Sequence, residues 1–321
     1  MCESEKTVIG SLKVKHTVIK GCAITPFFDW QTIRHLENLP IRKDDILVAS
    51  YPRSGTHWVA ELVDIVRNEG NTEALSSLIH SRAHFLELSD KVTNGEINVF
   101  EDESDGSRFI ELGNKPSPRL LVSHLPADFM PSDITGGHTK VVLVLRNLKS
   151  VIVSYHFMLE SFGDVFNEPS TIDKVMKSMM RDDGEQTILG TWYNHIKSWL
   201  DIREKLKDKL LVIYYEDLVK NMPDAIKSMA AFLGKSFTDD EIAKIAEHLQ
   251  FKCMKNNAAV GNAFGDLVKT MNRDPEEQVI PHMRKGTIDD WKNHMTVAQS
   301  EAVDVYYKDK LETLGLKFQY E

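Results

Sequence analysis

An arginine followed by Ser-Gly-Thr-His, between an apolar run and a helical pattern, is an arrangement suited to holding a phosphate. In Ile46-Leu47-Val48-Ala49-Ser50-Tyr51-Pro52-Arg53-Ser54-Gly55-Thr56-His57-Trp58-Val59 the strand-like run breaks at proline into a small-residue loop that opens a helix. The amides of Ser54, Gly55, Thr56 and His57 are expected to be donors at a helix N-terminus, where an anion meets the positive end of the dipole. Gly55 lets the backbone approach closely, while Arg53 and the hydroxyls of Ser54 and Thr56 add hydrogen bonds to the same oxygens. The nucleoside triphosphatase pattern G-x-x-x-x-G-K-[ST], with its lysine and magnesium-holding hydroxyl, is absent, so a metal-free anhydride site is expected. Taken alone, the stretch also fits a plain strand-to-helix connection.

Three further segments carry chemistry. Leu120-Leu121-Val122-Ser123-His124-Leu125-Pro126 places His124 at the carboxyl end of a strand, where open α/β sheets bind their ligands. Most of the 12 histidines belong to core or surface, but this position suits a base that takes a proton from an attacking hydroxyl. Val141-Val142-Leu143-Val144-Leu145-Arg146 ends another strand on a fixed charge suited to a bidentate phosphate contact, with Ser154 eight residues on. A strand-end salt bridge and a mute helical serine are the ordinary readings of these two. Met283-Arg284-Lys285-Gly286 joins two cations to a glycine that lets a loop wrap a phosphate, or forms a charged surface turn.

The elements that must position these groups alternate. Strand-length apolar runs at Ile46-Ser50, Arg119-His124, Lys140-Arg146 and Leu210-Tyr215 have the character of buried parallel strands. Helical spacing follows at Val59, Leu62, Val63 and Val66, again from Leu148 to Leu159, and along Ile188, Leu189, Trp192, Tyr193, Ile196, Trp199 and Leu200. Two more helices are predicted over Asp224-Leu233 and Thr238-Leu249, the latter opening on a capping box with Glu241. The expected fold is one α/β domain over 1–321, a central parallel sheet flanked by helices with a P-loop-like phosphate-binding loop. Lys91 to Lys115 and Asn256 to Gly286 read as long loops of the kind that form binding lids.

The 321-residue chain is 42% hydrophobic and 27% charged, enough for a full core, and its net charge of -9 opposes a nucleic-acid or anionic-membrane partner. Cys2, Cys22 and Cys253 are few and odd in number, which fits bland thiols in a reducing compartment. There is no apolar signal core, no window near the ~18 apolar residues of a membrane span, and no glycine at position 2. A soluble cytoplasmic protein is expected.

Together these segments closely resemble the cytosolic sulfotransferases, whose Y-P-K-S-G-T-T-W reappears as Tyr51 to Trp58. The likeness includes P-R-L-L-K-T-H-L-P at Pro118 to Pro126, L-R-N-x-K-x-x-x-V-S-Y at Leu145 to Tyr155, and R-K-G-x-x-G-D-W-K at Arg284 to Lys292. It implies sulfuryl transfer from 3′-phosphoadenosine 5′-phosphosulfate (PAPS) to a hydroxyl or amine of a small acceptor, releasing the bisphosphate PAP, without a metal. By position, Arg53, Ser54, Gly55, Thr56, His57 and Trp58 would hold the phosphosulfate. Arg146, Ser154, Arg284, Lys285 and Gly286 would hold the 3′-phosphate. Tyr193 matches the family tyrosine near the adenine, or else packs on its helix face. Leu249, Gln250, Phe251, Lys252, Cys253 and Met254 match a nucleotide-lining segment in which Leu249-Gln250 replaces Thr-Ser. His124 aligns with the catalytic base, with Arg53 as the cation facing the leaving phosphate. Phe27, Phe28, Phe85, Phe157 and Phe264 are apolar candidates for the acceptor pocket. Lys292 to Glu301 fits the dimerisation signature K-x-x-x-T-V-x-x-x-E, implying a homodimer, or leads into the last helix.

Three departures stand out. Arg53 replaces the loop lysine, keeping the charge in a planar fork that scarcely gives up a proton. Val122 replaces a lysine two residues before the base, and Asp289 replaces a glycine. The alternatives are a P-loop small-molecule kinase, opposed by the missing Gly-Lys-Ser/Thr, and a catalytically weak nucleotide-binding protein, suggested by Arg53 and Val122.

Overall fold

The structure, a computed structural model, describes residues 6–9, 12–15, 17–25, 27–88, 106–161, 170–181, 187–261 and 283–321. Two antiparallel hairpins come first, β1 (Lys6–Ile9) with β2 (Leu12–Lys15) and β3 (Thr17–Ile19) with β4 (Cys22–Ile24). The main sheet holds β5 (Ile46–Ser50), β6 (Ala83–Phe85), β7 (Leu120–Ser123), β8 (Lys140–Leu145) and β9 (Leu210–Tyr214) in the order β6-β7-β5-β8-β9. All four pairings are parallel. The four predicted runs are therefore four neighbours of this sheet, and β5 at its centre is buried at every residue. The chain leaves β5 toward β7 and β6 on one side and toward β8 and β9 on the other, so a ligand crevice opens at the strands' carboxyl ends.

The helix Thr56–Arg67 buries Thr56 through Val66, charged residues included. Such burial requires pairing. Arg82 supplies it, donating to Glu61 Oε2 at 2.8 Å and to Asp64, while Arg67 reaches Asp64 at 2.6 Å and His248 meets Glu61 at 3.0 Å. A second buried pair anchors the start of β7. Arg119 donates to Asp45 Oδ1 at 2.9 Å, to the Leu112 carbonyl at 3.0 Å and to the Pro40 carbonyl at 2.8 Å. Replacing Arg119 with alanine strands the Asp45 charge in the interior and is expected to cost about 3–5 kcal/mol in denaturant unfolding. A loss below about 1 kcal/mol would show that Asp45 finds water there.

Helix boundaries follow local chemistry. Thr238 caps Asp239–His248 through the expected capping box with Glu241, and Met222–Leu233 ends on Gly234 in the left-handed region. The long helix starts later than its apolar spacing implied. Ile188 bridges Ala23 of β4, Leu189 and Gly190 have φ of 60° and 83°, and Thr191 then caps Trp192–Asp201. Apolar periodicity continues through Ile188 and Leu189 because both are buried, but by sheet contact rather than helix packing. Within the stretch from Lys91 to Lys115 read as a loop, Arg108–Asn114 is helical, and the helix Phe251–Asn256 ends where the second loop begins. The rest of 91–115 and 256–286 lies mostly outside the described residues.

Candidate active site

Every strand of the main sheet contributes to one rim. After β5, Tyr51 and Pro52 are buried, and the chain turns at Arg53 and Gly55, with φ of 69° and 96°. The helix Thr56–Arg67 starts there, and its first-turn amides have no intrahelical acceptor. The Ser54 amide is already used, donating to the Tyr51 carbonyl at 3.2 Å, so this anion donor expected from sequence closes the turn instead. The Ser54 hydroxyl is buried and has no hydrogen-bond partner among the described residues, leaving it for a ligand. A Cβ on Gly55 would stand 2.6 Å from the Tyr215 ring, so the residue must be glycine on two counts, conformation and contact.

Arginines gather around this loop. Arg53 Nε donates to Ser154 Oγ at 3.1 Å, and Arg146 donates to the Arg53 carbonyl at 2.8 Å while lying 3.9 Å over the Tyr215 ring. Burial, then Arg146 and Arg284, push the Arg53 guanidinium down to about 10, which leaves it charged at neutral pH. Three cations within electrostatic reach repel unless an anion joins them, so the rim suits a multiply charged ligand. Arg284 is held by Asp290 and stacks 4.2 Å over Phe157. A Cβ on Gly286 would come 2.1 Å from Phe251, and Trp58 packs on both Tyr215 and Phe251 while donating to the Leu249 carbonyl at 2.8 Å. Gln250, Lys252, Cys253 and Lys285 are exposed, and Met254 is in the core.

His124 leaves β7 beside this loop. Its Nδ1 lies 2.8 Å from the Ser50 carbonyl, which only accepts, so that nitrogen carries the hydrogen and Nε2 keeps a lone pair. The Ser50 hydroxyl is 3.3 Å from the same Nδ1 and 2.8 Å from Thr56 Oγ1, joining the histidine to the anion loop. Burial, with a smaller contribution from Arg53, lowers His124 to about 4, against the opposing hydrogen bond that the ring donates to the Ser50 carbonyl, so the ring is neutral at physiological pH. Phe85 packs 5.3 Å from it. A neutral imidazole beside a cationic anion rim can remove a proton while the rim receives growing negative charge.

Residues 43–315 match the family model described as Sulfotransferase domain. The chain belongs to the sulfotransferase family. It is 34% identical to mouse sulfotransferase 1 family member D1 over 92% of this chain and 94% of that one. It is 33% identical to rat sulfotransferase 1A1 over 94% and 96%. Among solved structures, mouse sulfotransferase SULT7A1 complexed with PAP superposes with a TM-score of 0.67 at 27% identity, covering 92% of this chain and 95% of that one. Retinol dehydratase in complex with androsterone and PAP superposes with a TM-score of 0.80, covering 98% and 94%, and at 23% identity shows a shared fold. This protein is thus a sulfuryl-transferring enzyme built on the α/β fold described above.

Other positions in the sulfotransferase fall in different places. Tyr193 packs 6.4 Å from Tyr307 with Lys310 5.4 Å from its ring, on the last helix, Val297–Leu314. It is Tyr215, just past β9, that stands against Gly55, Arg146 and Trp58. The sequence places Tyr215 only at the carboxyl end of a strand-length apolar run, and the sheet order supplies its partners. Of the acceptor candidates, Phe85 touches His124, and Phe27 and Phe28 pack together 5.1 Å apart next to Asp29, whose amide donates to the Glu87 carbonyl. Phe157 instead lies between His156 and His294 beneath Arg284, on the cation side. Phe264 lies outside the described residues. Lys292 to Glu301 spans a 3-10 turn and, from Thr296, the capped start of the last helix, with Val297 74% exposed. No helix among the described residues is long and apolar enough to cross a membrane.

Proposed function

We propose that this enzyme transfers the sulfuryl group of PAPS to a hydroxyl or amine of a small acceptor, with His124 as the base. The observation that carries the reading is the His124 Nδ1 hydrogen bond to the Ser50 carbonyl, which leaves Nε2 as a proton acceptor beside the Arg53 loop. The acceptor oxygen attacks sulfur in line as its proton passes to Nε2, and the bond from sulfur to the bridging oxygen breaks. Charge grows on the leaving 5′-phosphate, where Arg53 and the first-turn amides meet it. Arg53, Ser54, Gly55, Thr56, His57 and Trp58 hold the 5′ end, and Arg146, Ser154, Arg284, Lys285 and Gly286 hold the 3′-phosphate. The adenine goes against Trp58, Tyr215 and Phe251, along the backbone of Leu249 to Met254, rather than against Tyr193.

Relatives holding PAP support the donor, and one holding androsterone supports an apolar alcohol, phenolic or steroid-like acceptor bounded by Phe85, Phe27 and Phe28. The enzyme works as a single domain in the cytoplasm and as a homodimer through Lys292 to Glu301. Calorimetry with PAP, followed by transfer of labelled sulfuryl from PAPS to a panel of phenols, steroids and amines, tests the whole reading. No PAP affinity would overturn it.

Arg53→Lys addresses the main departure. Both side chains carry the charge, but lysine is a compact donor that can reach a bridging oxygen directly, so kcat is expected to hold or rise by up to about tenfold. Loss of turnover would show that the fork joining Arg53 to Ser154 is itself required.

A further inference from the structure

Glu87 follows the edge strand β6 and has no exposed surface, yet no charged side chain is bonded to it among the described residues. One carboxylate oxygen accepts from the His124 amide at 2.7 Å. The other is buried with no hydrogen-bond partner among the described residues. A carboxyl group in such a place costs several kcal/mol when ionised and is costly to leave half-satisfied, so its presence calls for a reason beyond packing. The charged and titratable groups packed around it are Arg108, which is tied to Glu111 at 3.0 Å, Asp29, whose amide donates to the Glu87 carbonyl, and His124 itself. The Ser123 side chain lies beside it as well.

We infer that Glu87 is a positioning residue for sulfuryl transfer, gripping the main chain at His124 so that the imidazole faces the donor loop, and relaxing that grip when it takes up a proton. The inference rests on the reading of His124 as the base. The physical reason is the strength of the bond. An amide donating to a carboxylate makes a charge-assisted hydrogen bond roughly twice as strong as one to a neutral acid. His124 is fixed at two points, its amide on Glu87 and its Nδ1 on Ser50, and weakening one of them lets the ring pivot about the other. Burial pushes Glu87 up to about 7, against the opposing hydrogen bond from the His124 amide, so the change falls at physiological pH. His124 itself titrates far lower, at about 4, and is not the source of a limb near neutrality.

The test is the pH profile of kcat in wild type and Glu87→Gln, measured with PAPS and a phenol acceptor. Glutamine keeps an oxygen toward the His124 amide but stays neutral, a permanent copy of the protonated state. Wild-type kcat is expected to rise about tenfold from about pH 6 to about pH 8, while Glu87→Gln stays flat at the lower level with PAP affinity and acceptor KM unchanged. A variant that keeps the limb overturns the inference, as does one with full activity at high pH. A purely structural role would lower the thermal midpoint without removing the limb. Should the variant fail to fold, infrared difference spectra of the wild type decide. A protonated-carboxyl band that disappears as kcat rises supports the role, and no such band, or one titrating elsewhere, overturns it. His124→Ala separates the two readings. Retained turnover there sinks the base assignment, whereas the usual loss beside an unchanged Glu87→Gln profile sinks only the role of Glu87.

Discussion

Replacing His124 with alanine is expected to lower kcat by about 10²- to 10⁴-fold, the ordinary contribution of a positioned general base. Affinity for PAP should change little, because no phosphate contact passes through the imidazole and Arg53, Arg146 and Arg284 remain. Loss of the Nδ1 bond to Ser50 removes one intramolecular hydrogen bond, worth about 1 kcal/mol, so the variant should stay folded. Single-turnover kinetics together with PAP calorimetry check both halves. Unaltered turnover would take the proton-abstracting role away from this residue. Acid also acts on the fold here. His124 at about 4 and His195 at about 3 are both held below the usual histidine value by burial. The folded state therefore binds fewer protons than the unfolded chain as pH falls below about 6.5, and these two residues withdraw stability through that window down to their folded values.

Gly55→Ala should strike the other substrate. Alanine at φ 96° pays about 1–2 kcal/mol for the left-handed backbone. Its Cβ would sit 2.6 Å from the Tyr215 ring, which must then move off Arg146 and Trp58. Strain and displacement together are expected to weaken PAP about 10²-fold by calorimetry. An unchanged affinity would mean that neither the close approach at Gly55 nor the ring of Tyr215 shapes the nucleotide site.

The parts of the fold that the sequence reveals are those whose signal is continuous along the chain. β5, β7 and β8 are buried along almost their whole length, and β9 at the sheet edge is half-buried, yet all four read as unbroken apolar runs. β6, only Ala83-His84-Phe85, offers three residues with a histidine among them, too short to distinguish from a loop. The helix start at Trp192 is hidden because Leu189 and Gly190, which bend the chain away from helical geometry, sit inside an apolar period. The site divides in the same way. The proposed phosphate loop, His124, Arg146 and Arg284 lie in local motifs, and each can be read by itself. Tyr215 and Glu87 acquire meaning only through what the sheet order sets beside them, Gly55 and Arg146 for one and the His124 amide for the other. Phe157 reads as an acceptor candidate by its aromatic character alone, but its neighbour Arg284 is 127 positions away in the chain, and only folding brings the pair together.

Ser50 sits at the last position of the central strand and touches both halves of the chemistry, its carbonyl on His124 and its hydroxyl on Thr56. On the proposed reading, proton removal and phosphosulfate capture are thus bolted to one stiff beam, and their separation does not depend on which molecule is being sulfonated. Differences in acceptor size must then be absorbed by the surrounding segments alone. Preference for one compound over another can drift during evolution without retuning the reacting geometry.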